Sequence, residues 1–420
     1  MIDRSRRAEF EALDEADPLR EKRAAFVVPD QQIYLDGNSL GVPTRAALSA
    51  ARDAAEQEWT DGLIASWNDA DWIGLPRRLG DRIGALLGAA PGQTLVADSI
   101  SVNLFKLLSG ALGLRPGRGT VLSTRENFPT DLYVAQGLEA LVGAGRCRLR
   151  TAPLEAFSAD GIDALLDDDV AVLMLTEVDF RTGARLDVQR ITERAHDRGA
   201  LVLWDLAHSA GALPVALDAS GADMAVGCGY KFLGGGPGAP AFLYLAERHH
   251  ADFAQPLTGW MGHARPFEFE PDYAPAPGIE RFLAGTPPIL ACRALEGALD
   301  VFDDLDMHAV HAKSLALADA FVELVESSTA CAALELVTPR APAERGSQLA
   351  FRHPHAWPLT RALAAAGVVG DFRAPDLLRL GITPLYLRFV DMFDAACRLE
   401  DVLANDRHLE PGYALRARVT

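Results

Sequence analysis

The amino-acid sequence predicts an α/β fold, with a mostly parallel central sheet flanked by helices and a smaller α+β domain towards the C-terminus. One observation behind this prediction is a series of short apolar runs that alternate with segments of helical periodicity, as in right-handed βαβ units. The other is the stretch 266–288, where prolines and aromatic residues crowd together and the periodicity is lost. A chain of 420 residues that is 49% hydrophobic can bury an ample core without disulfides.

The apolar runs predict strands, and the periodic segments between them predict helices. In chain order, we expect strands at Thr120–Ser123, Val170–Leu175, Ala200–Trp204, Ala222–Val226, Ala241–Leu245, Leu334–Val337 and Gln348–Phe351, and helices at Thr130–Leu141, Asp187–Arg198, Ile289–Phe302, Lys313–Ser327 and Met392–Ala404. We divide the chain into an N-terminal segment, 1–50, that packs on the other parts, a large cofactor-binding α/β domain, 51–295, and a small α+β domain, 296–420.

Composition excludes several function classes. A net charge of −18 argues against an extended surface for nucleic acid. The five cysteines are scattered without a C-x-x-C pair, the N-terminus lacks the apolar core of a signal peptide, and no apolar run is long enough to span a membrane. We therefore expect a cytoplasmic protein in a reducing compartment. The paired histidines lack further ligands at metal spacing, so we expect no metal site.

Lysine is scarce, since only Lys22, Lys106, Lys231 and Lys313 are lysines among the 40 basic residues. Arginine cannot replace lysine as a nucleophile, so any lysine-dependent chemistry has four candidates. Lys22 and Lys313 lie in charged or amphipathic helical stretches. Lys106 lies inside a predicted helix, where we expect a solvated or snorkelling side chain. Lys231 differs, because apolar, aromatic and glycine neighbours predict a buried, nucleophilic amine close to a ligand.

Polar residues follow the predicted strands, where α/β proteins place their sites. Asp205 ends a buried run and needs a partner there. His208 comes three residues later and would share a helical face with Asp205 if a helix begins there. Ser99 and Ser101 open a predicted helix. They either cap it or, with its free N–H groups, form an anion site.

An aromatic residue after a strand can stack on a flat ring, and Phe128 is such a residue. Together with Lys231, Asp205 and the helix start, this set suits pyridoxal 5′-phosphate (PLP). The lysine would form a Schiff base, and the aspartate would keep the ring nitrogen protonated. Other functional motifs are absent: the sequence has no Walker A loop for nucleotides and no G-x-S-x-G elbow for a hydrolase triad. The stretch 234–239 fits G-x-G-x-x-A but precedes a strand instead of opening a helix.

Longer segments resemble kynureninases, which are PLP enzymes of fold type I, the aspartate-aminotransferase-like superfamily. These segments are Tyr34–Gly41, Asn127–Tyr133, Trp204–Gly211, Gly259–His263 and Thr383–Tyr386. The resemblance runs from about Ile33 to the C-terminus. The Asp-x-x-His and Lys pattern is common to many fold type I enzymes, whereas Asn-Phe-Pro-Thr-Asp, Gly-Trp-x-Gly-His and Thr-Pro-Leu-Tyr are much narrower.

The resemblance implies roles for individual residues. Catalysis would fall to Lys231, Tyr230 and Asp205, with Tyr230 as a proton donor and acceptor. Cofactor contacts would come from Ile100, Ser101, Phe128, Thr130, Asp131, Thr176, Asp205, His208, Tyr230 and Lys231. Trp260 and Thr286 would reach the phosphate site from the partner subunit, which implies a homodimer. Arg379 would bind the substrate α-carboxylate, with Ser39 near the substrate.

The activity that the resemblance implies is hydrolytic Cβ–Cγ cleavage of L-kynurenine, or of 3-hydroxy-L-kynurenine, in tryptophan catabolism or NAD biosynthesis. The products are anthranilate, or its 3-hydroxy form, and L-alanine. Trp67, Trp72 and Phe282 are candidates for the aryl pocket, although packing in the core or an interface is favoured for each. Gly229 and Gly234 stand where relatives often carry a hydroxyl or an amide, which would loosen the loop around Lys231. Ile100 also replaces a residue that is often polar, although a backbone N–H contact survives the change.

Two alternatives remain open from the sequence. The first is another fold type I lyase, such as a cysteine desulfurase-like enzyme. That chemistry needs a mobile cysteine in the small domain, and the helix-like contexts of Cys331 and Cys397 weigh against it. The second is a PLP-free binding or regulatory protein on the same scaffold, against which the intact Lys231, Asp205 and Arg379 argue.

Overall fold

The computed structural model describes residues 1–158 and 161–416. Its helices are α1 (Arg7–Ala16), α2 (Arg45–Asp53), α3 (Ser66–Asp69), α4 (Leu75–Leu86), α5 (Ile100–Leu114), α6 (Pro129–Val142), α7 (Val188–Asp197), α8 (Ile289–Leu299), α9 (Met307–Ser327), α10 (Ala356–Ala365), α11 (Phe389–Ala404) and α12 (Pro411–Ala414). A π-helical segment, Ala54–Gly62, continues α2. The last four residues of the predicted C-terminal domain lie outside the described residues.

The strands are β1 (Ile33–Tyr34), β2 (Thr94–Val96), β3 (Thr120–Thr124), β4 (Arg148–Ala152), β5 (Val170–Thr176), β6 (Leu201–Asp205), β7 (Met224–Cys228), β8 (Ala241–Leu245), β9 (Glu335–Leu336), β10 (Gln348–Arg352), β11 (Val368–Val369), β12 (Asp371–Arg373) and β13 (Leu377–Gly381). Within the described residues, the large sheet has seven strands in the order β2-β8-β7-β6-β5-β3-β4. Neighbours from β4 to β7 are parallel, which confirms the mostly parallel sheet.

The central strands are buried on both faces, as is typical of a sheet covered by helices. From Val172 to Leu175 of β5, successive residues belong to different apolar clusters. Val172 of β5 packs in one cluster with Leu104 of α5. Its neighbour Leu173 packs in the other cluster with Ile191 of α7. The alternation of side chains along a strand therefore explains why an uninterrupted apolar run was needed in the sequence.

The strand β8 runs antiparallel to both β7 and β2. Residues 229–240, which connect β7 to β8, form bends and turns. A parallel neighbour would require a crossover connection, usually helical, whereas this short connection turns the chain straight back. The same connection carries Lys231, so the reversal of chain direction and the predicted nucleophile share one loop.

A second sheet, in the order β12-β13-β10-β9, is antiparallel and forms the smaller C-terminal part. The N-terminal segment packs on this part, because β1 pairs with β11 and the ring of Phe10 lies 5.1 Å from that of Phe393. These contacts fit the expected packing of residues 1–50. The domain boundaries at residues 50 and 295 remain predictions.

Several element ends differ from the prediction. The predicted helix Ile289–Phe302 ends as an α-helix at Leu299 and continues as a 3₁₀ turn. The helix predicted from Lys313 begins at Met307, because Asp306 caps it by accepting a hydrogen bond from the His308 N–H. The strand expected at Leu334–Val337 is reduced to β9, Glu335–Leu336.

Across the described residues, no helix combines the length and the apolar character needed to cross a membrane.

Candidate active site

A cavity of about 210 Å³ opens where β5, β6 and β7 end. Nine of the residues predicted for the site line it: Ile100, Ser101, Phe128, Thr130, Thr176, Asp205, His208, Tyr230 and Lys231. Ser99, Phe180, Ala207, Cys228, Ala239 and Ala241 complete the lining. The carboxyl ends of parallel strands thus bring together residues that lie more than a hundred positions apart in the sequence.

Lys231 and His208 meet in this cavity. Lys231 follows β7 by three residues, and its Nζ lies 3.0 Å from Nε2 of His208. Lys231 is half-buried and not fully buried as expected, because the end of its side chain reaches the cavity. Burial, aided by the charge of Lys231, holds the pKa of His208 well below its ordinary value. The imidazole is therefore neutral, and its Nε2 accepts the hydrogen bond from Lys231.

The connection between Asp205 and His208 is a turn, so the prediction that the two share a helical face is wrong. The N–H groups of Ser209 and Ala210 both bond to the carbonyl of Leu206, which closes the turn directly after β6. The tight turn reverses the chain and brings His208 beside the cavity.

Asp205 lines the cavity, and the predicted residue Asp131 lies next to it but outside the lining. Asp205 is 3% exposed and accepts a 2.7 Å hydrogen bond from the Ala207 N–H. Burial raises its pKa, although Lys231 opposes the shift. Asp131, in the first turn of α6, is fully buried, and neither of its oxygens has a hydrogen-bond partner among the described residues. Burial and then the neighbouring Asp205 raise the pKa of Asp131. This pair of buried carboxyl groups requires a cationic or proton-donating partner in the cavity.

The start of α5 forms one wall of the cavity. The hydroxyl of Ser99 caps the helix by accepting from the Val102 N–H at 3.4 Å. The N–H groups of Ile100 and Ser101 belong to the first helical turn, whose donors have no partners within the helix. The sequence left open whether this helix start is capped by a serine or binds an anion, and the structure is compatible with both. Ser99 caps α5, and Ile100 and Ser101 line the cavity with donors suited to an anion.

Asn127 fixes the opposite wall. Its Oδ1 accepts hydrogen bonds from the Thr176 hydroxyl at 2.5 Å and from the Phe128 N–H at 2.7 Å. Phe128 is 42% exposed, so much of its ring is open for stacking. Its edge meets the ring of Phe180 at 5.2 Å and 89°. The resulting aromatic wall would suit a ligand that is flat and at least partly apolar.

Tyr230 stands beside Lys231, whose Nζ lies 6.0 Å from the centre of the phenol ring. Burial raises the pKa of Tyr230 above its ordinary value, so the hydroxyl keeps its proton at neutral pH. The backbone is held from the N-terminal segment, since the Gly41 N–H donates to the Tyr230 carbonyl at 2.8 Å. A Cβ at Gly229 would lie 2.7 Å from the Pro240 carbonyl, so at Gly229 the loop is tightly packed rather than loosened.

Arg379 and Ser39 lie outside the cavity lining, in a buried charged cluster next to it. Arg379 is 1% exposed and forms a bidentate ion pair with Asp371, with Nε 2.8 Å from Oδ1. The Ser39 hydroxyl accepts from Arg379 Nη2 at 2.9 Å and donates to Asp371 at 2.6 Å. Arg373 also contacts Asp371, at 2.8 Å. Burial opposes ionisation of Asp371, but the hydrogen bonds and charge of Arg379 hold its pKa below the ordinary value.

Two further predicted residues do not reach the cavity of the single chain. Trp260 is 38% exposed, and its ring contacts Phe267 and Phe269. Thr286 is exposed. Both are therefore accessible to a second copy of the chain.

None of the aryl-pocket candidates lines the cavity. Phe282 is buried in the core against Phe253, which confirms the packing interpretation. The rings of Trp67 and Trp72 meet edge to face at 5.9 Å, and the Trp72 indole N–H donates to Glu58.

The expectation of a solvated Lys106 is wrong. Its side chain is 0% exposed, and Nζ lies 2.5 Å from both Asp98 Oδ2 and the carbonyl oxygen of Phe282. Lys313 is also buried, at 2.6 Å from Asp17. Both lysines lie on helix faces that turn inward, where each ammonium group finds a carboxylate. The pairing makes burial of their charge tolerable.

Three residues of the site were not predicted as functional. Phe180 follows β5 in the same way that Phe128 follows β3, so an aromatic after a strand was an available signal. Asn127 belongs to the family-like segment Asn127–Tyr133, but nothing in the sequence showed which groups would donate hydrogen bonds to its amide oxygen. Asp371 carried no signal in the sequence, because its pairing with Arg379 depends on the register of the sheet.

The described residues contain no group of three or more His, Cys, Asp or Glu side chains able to hold a metal ion.

The sequence is similar to curated relatives over nearly its whole length. Residues 310–399 match the family model described as the kynureninase C-terminal domain. Kynureninase from Burkholderia pseudomallei is 52% identical over 419 residues, which cover 99% of this chain and 99% of the relative. Kynureninase from Deinococcus radiodurans is 52% identical over 401 residues, covering 94% of this chain and 96% of the relative.

Solved structures share the fold at low sequence identity. A complex of the cystine C–S lyase C-DES with cysteine persulfide has a TM-score of 0.77 at 18% identity, covering 89% of this chain and 98% of that chain. The apo cysteine desulfurase from Thermococcus onnurineus NA1 has a TM-score of 0.76 at 16% identity, covering 92% and 98%. These values establish fold type I for this chain, and the sequence relatives narrow the assignment further. With one cavity uniting the predicted lysine, aspartate and helix start, and full-length relatives at 52% identity, the chain belongs to the kynureninase family.

Proposed function

We propose that this protein hydrolyses L-kynurenine, or its 3-hydroxy form, to anthranilate, or 3-hydroxyanthranilate, and L-alanine, with PLP as its cofactor. The observation that carries the proposal is the convergence of Lys231, Asp205 and the start of α5 on one cavity, in a chain of the kynureninase family. In the reaction, one water molecule is consumed as the Cβ–Cγ bond breaks. The aryl acyl carbon receives the oxygen, and the alanine side chain receives a proton.

The cavity residues fit PLP on four independent grounds. Lys231 Nζ is the amine in the cavity that could bind an aldehyde. The buried carboxylate of Asp205 lines the cavity and matches a protonated ring nitrogen, and the unpartnered carboxylate of Asp131 lies beside it. The open face of Phe128 suits a flat ring, and the first turn of α5 suits a phosphate. His208 adds a buried Nδ1 without a partner among the described residues, available to a polar substituent of the ring.

The bound cofactor supplies an electron sink for negative charge that develops on the substrate. The chain's own groups then position the substrate and move its protons. Asp205 would pair with a protonated ring nitrogen of the cofactor. Lys231, once its amine is free, is placed to take the proton from the substrate Cα. Tyr230 keeps its phenolic proton at neutral pH and serves the later proton transfers, which a phenol within hydrogen-bond reach can accelerate.

We propose that Arg379 binds the substrate α-carboxylate. Its Nε and Nη2 already pair with Asp371, which fixes the orientation of the guanidinium, so a substrate carboxylate has to compete with Asp371 for these donors or use the remaining N–H of Nη1. Nη1 donates to the Phe180 carbonyl, which ties Arg379 to the aromatic wall. The neighbouring Arg373 is 29% exposed and adds a second positive charge at the same place. Ser39 bridges Arg379 and Asp371 and completes this carboxylate site.

We propose that the protein acts as a homodimer with shared active sites. Trp260 and Thr286 are exposed in one chain. In this proposal, both contact the cofactor phosphate that is bound in the other subunit. Phe267 and Phe269, at 60% and 76% exposed, extend the apolar surface around Trp260. Apolar surface of this kind is typical of protein interfaces.

We also propose a cytoplasmic location, because the five free, buried cysteines suit a reducing compartment.

The desulfurase alternative is not favoured, although desulfurases share the fold. Such chemistry needs an accessible, nucleophilic thiol. Cys331 is 2% exposed, and burial raises its pKa to about 11. Burial also raises the pKa of Cys397. Neither thiol is placed to attack a substrate in the cavity.

The experiment is to add L-kynurenine and PLP to the purified protein and to follow anthranilate by its fluorescence. The proposal predicts anthranilate and L-alanine in equal amounts, with 3-hydroxy-L-kynurenine competing. The Lys231→Ala variant serves as the inactive control. A yellow, PLP-loaded protein that produces no anthranilate but releases sulfur from L-cysteine would replace the proposal with the desulfurase alternative.

A further inference from the structure

Lys106 is the fully buried lysine next to the start of α5. It lies in the second turn of this helix, and its ammonium group bridges two parts of the chain. Nζ lies 2.5 Å from Asp98 Oδ2 and 2.5 Å from the carbonyl oxygen of Phe282. Asp98 directly precedes the helix cap Ser99. The lysine thus links the entrance of the proposed phosphate site to the 3₁₀ turn Gly278–Phe282.

Asp98 presents an electrostatic problem at this place. Asp98 stands two positions before Ile100, whose N–H belongs to the site proposed to bind a doubly charged phosphate, and its side chain is 32% exposed. The backbone fixes it there, because Asp98 has a positive φ of 47° and its carbonyl accepts from the Ala241 N–H at 3.0 Å. Like charges close together in a partly buried site repel. Without a counter-charge, Asp98 would oppose the binding of phosphate.

We infer that Lys106 is a positioning residue for the cofactor phosphate. It neutralises Asp98, so the first turn of α5 presents its donors without a competing negative charge. This inference rests on the proposed function, since it concerns the phosphate of PLP. Lys106 does not line the cavity, so it acts through Asp98 and not by contact with the ligand.

The second contact of Lys106 connects two halves of the proposed dimeric site. The Phe282 carbonyl ends the turn that leads to Thr286, the residue proposed to reach the partner's phosphate. One ammonium group therefore holds the phosphate-binding helix of its own subunit and the loop directed at the other subunit. The bond also satisfies a backbone carbonyl next to a buried ring, which would otherwise lack a donor there.

The test compares the affinities of the apo-protein for PLP and for pyridoxal, which lacks the phosphate, by absorbance titration. In K106M, the unpaired Asp98 should weaken PLP binding about tenfold and change pyridoxal binding by less than about threefold, a range ordinary for coupling between sites. D98N should bind PLP no more weakly than the wild type, and asparagine tolerates the positive φ. The double variant K106M/D98N should regain the wild-type preference for PLP.

Lys313→Met is the matched control. Lys313 is also a buried lysine on a helix, paired with Asp17 at 2.6 Å, but it lies in α9, outside the cavity. Its loss should lower the melting temperature, because it leaves the buried carboxylate of Asp17 unpaired. The loss of Lys106 likewise removes a buried cation, although the Asp98 carboxylate that it leaves is 32% exposed. The ratio of pyridoxal to PLP affinity should stay at the wild-type value in this variant.

Three results would overturn the inference: K106M keeps the wild-type ratio, D98N weakens PLP binding as K106M does, or the double variant fails to recover. If K106M does not fold, D98N decides: weaker PLP binding than in the wild type overturns the inference, and unchanged or tighter binding supports it. A wild-type protein that binds pyridoxal as tightly as PLP would instead refute the phosphate site of the proposed function. The two failures are therefore distinguishable in one set of titrations.

Discussion

Tyr230 illustrates how burial determines the state of a single group. Because burial raises its pKa above the ordinary value of about 10, the phenol remains a proton donor throughout the neutral range. We predict that Tyr230→Phe lowers kcat by roughly 10²- to 10⁴-fold, the range for lost acid–base catalysis. PLP affinity should change little, and steady-state kinetics with L-kynurenine would measure both effects. An unaltered kcat would remove Tyr230 from the mechanism.

Arg379 gives a second prediction for a single residue. Replacing it by lysine keeps the charge but removes the planar fork that matches a carboxylate. We expect Arg379→Lys to raise KM for L-kynurenine by roughly 10- to 100-fold, as for the loss of a charged hydrogen bond. The PLP affinity serves as the internal control, because Arg379 does not line the cavity. A KM equal to that of the wild type would show that the carboxylate binds elsewhere.

Individual residues were predictable from the sequence where their neighbours in the chain defined the environment. Lys231 stands among glycines and aromatics, and its neighbour Tyr230 lines the cavity with it. Lys106 could not be recognised, because its burial depends on the Phe282 carbonyl, far along the chain. Asp371 was equally hidden, since only the pairing of β12 with β13 brings it to Arg379. The neighbours of a residue in the sequence therefore predict its immediate environment. Its contacts with residues far along the chain are known only from the fold.

At the scale of elements, the N-terminal segment supports the loop that carries Lys231. A Cβ on Gly41 would overlap the Lys231 carbonyl oxygen and lie 2.9 Å from Gly234 Cα, both of them backbone atoms. We predict that Gly41→Ala destabilises the protein by about 1–3 kcal/mol, as overpacking does, and weakens PLP binding. Thermal unfolding and PLP titration would measure the two effects.

Gly137→Ala is the control for that substitution. Gly137 lies inside α6, and a Cβ there would have no heavy atom within 4 Å. Alanine is the better helix former, so this change should stabilise the protein by up to about 1 kcal/mol. If Gly41→Ala also proved neutral or stabilising, the N-terminal segment would not support the catalytic loop in the way described.

The strands and helices themselves were largely predictable, because periodicity reflects which face is buried. The order and direction of the strands in the sheet were harder to predict from the sequence. The antiparallel β8 could not be distinguished from its parallel neighbours by an apolar run alone. Its direction follows from the loop 229–240, which lacks room for a crossover helix. The turn after Asp205 was likewise read as a helix, since Asp-x-x-His spacing suits both.

At the scale of the whole molecule, the proposed dimer predicts complementation between inactive variants. Lys231→Ala affects the site of its own subunit, whereas Trp260→Ala should affect the partner's site. A hybrid dimer of the two variants then has one site with both defects and one with neither. Purified through two different tags, it should have about half the wild-type activity. A hybrid no more active than the average of its parents would place Trp260 in its own subunit's site.

The central claim is that one lysine of four carries the cofactor, and labelling tests it most directly. The PLP-loaded protein is reduced with borohydride, digested, and analysed by mass spectrometry for the peptide that gains the cofactor mass. The account predicts label on Lys231 alone and none in the Lys231→Ala variant. Label on Lys22, Lys106 or Lys313, or label that persists in the variant, would contradict it.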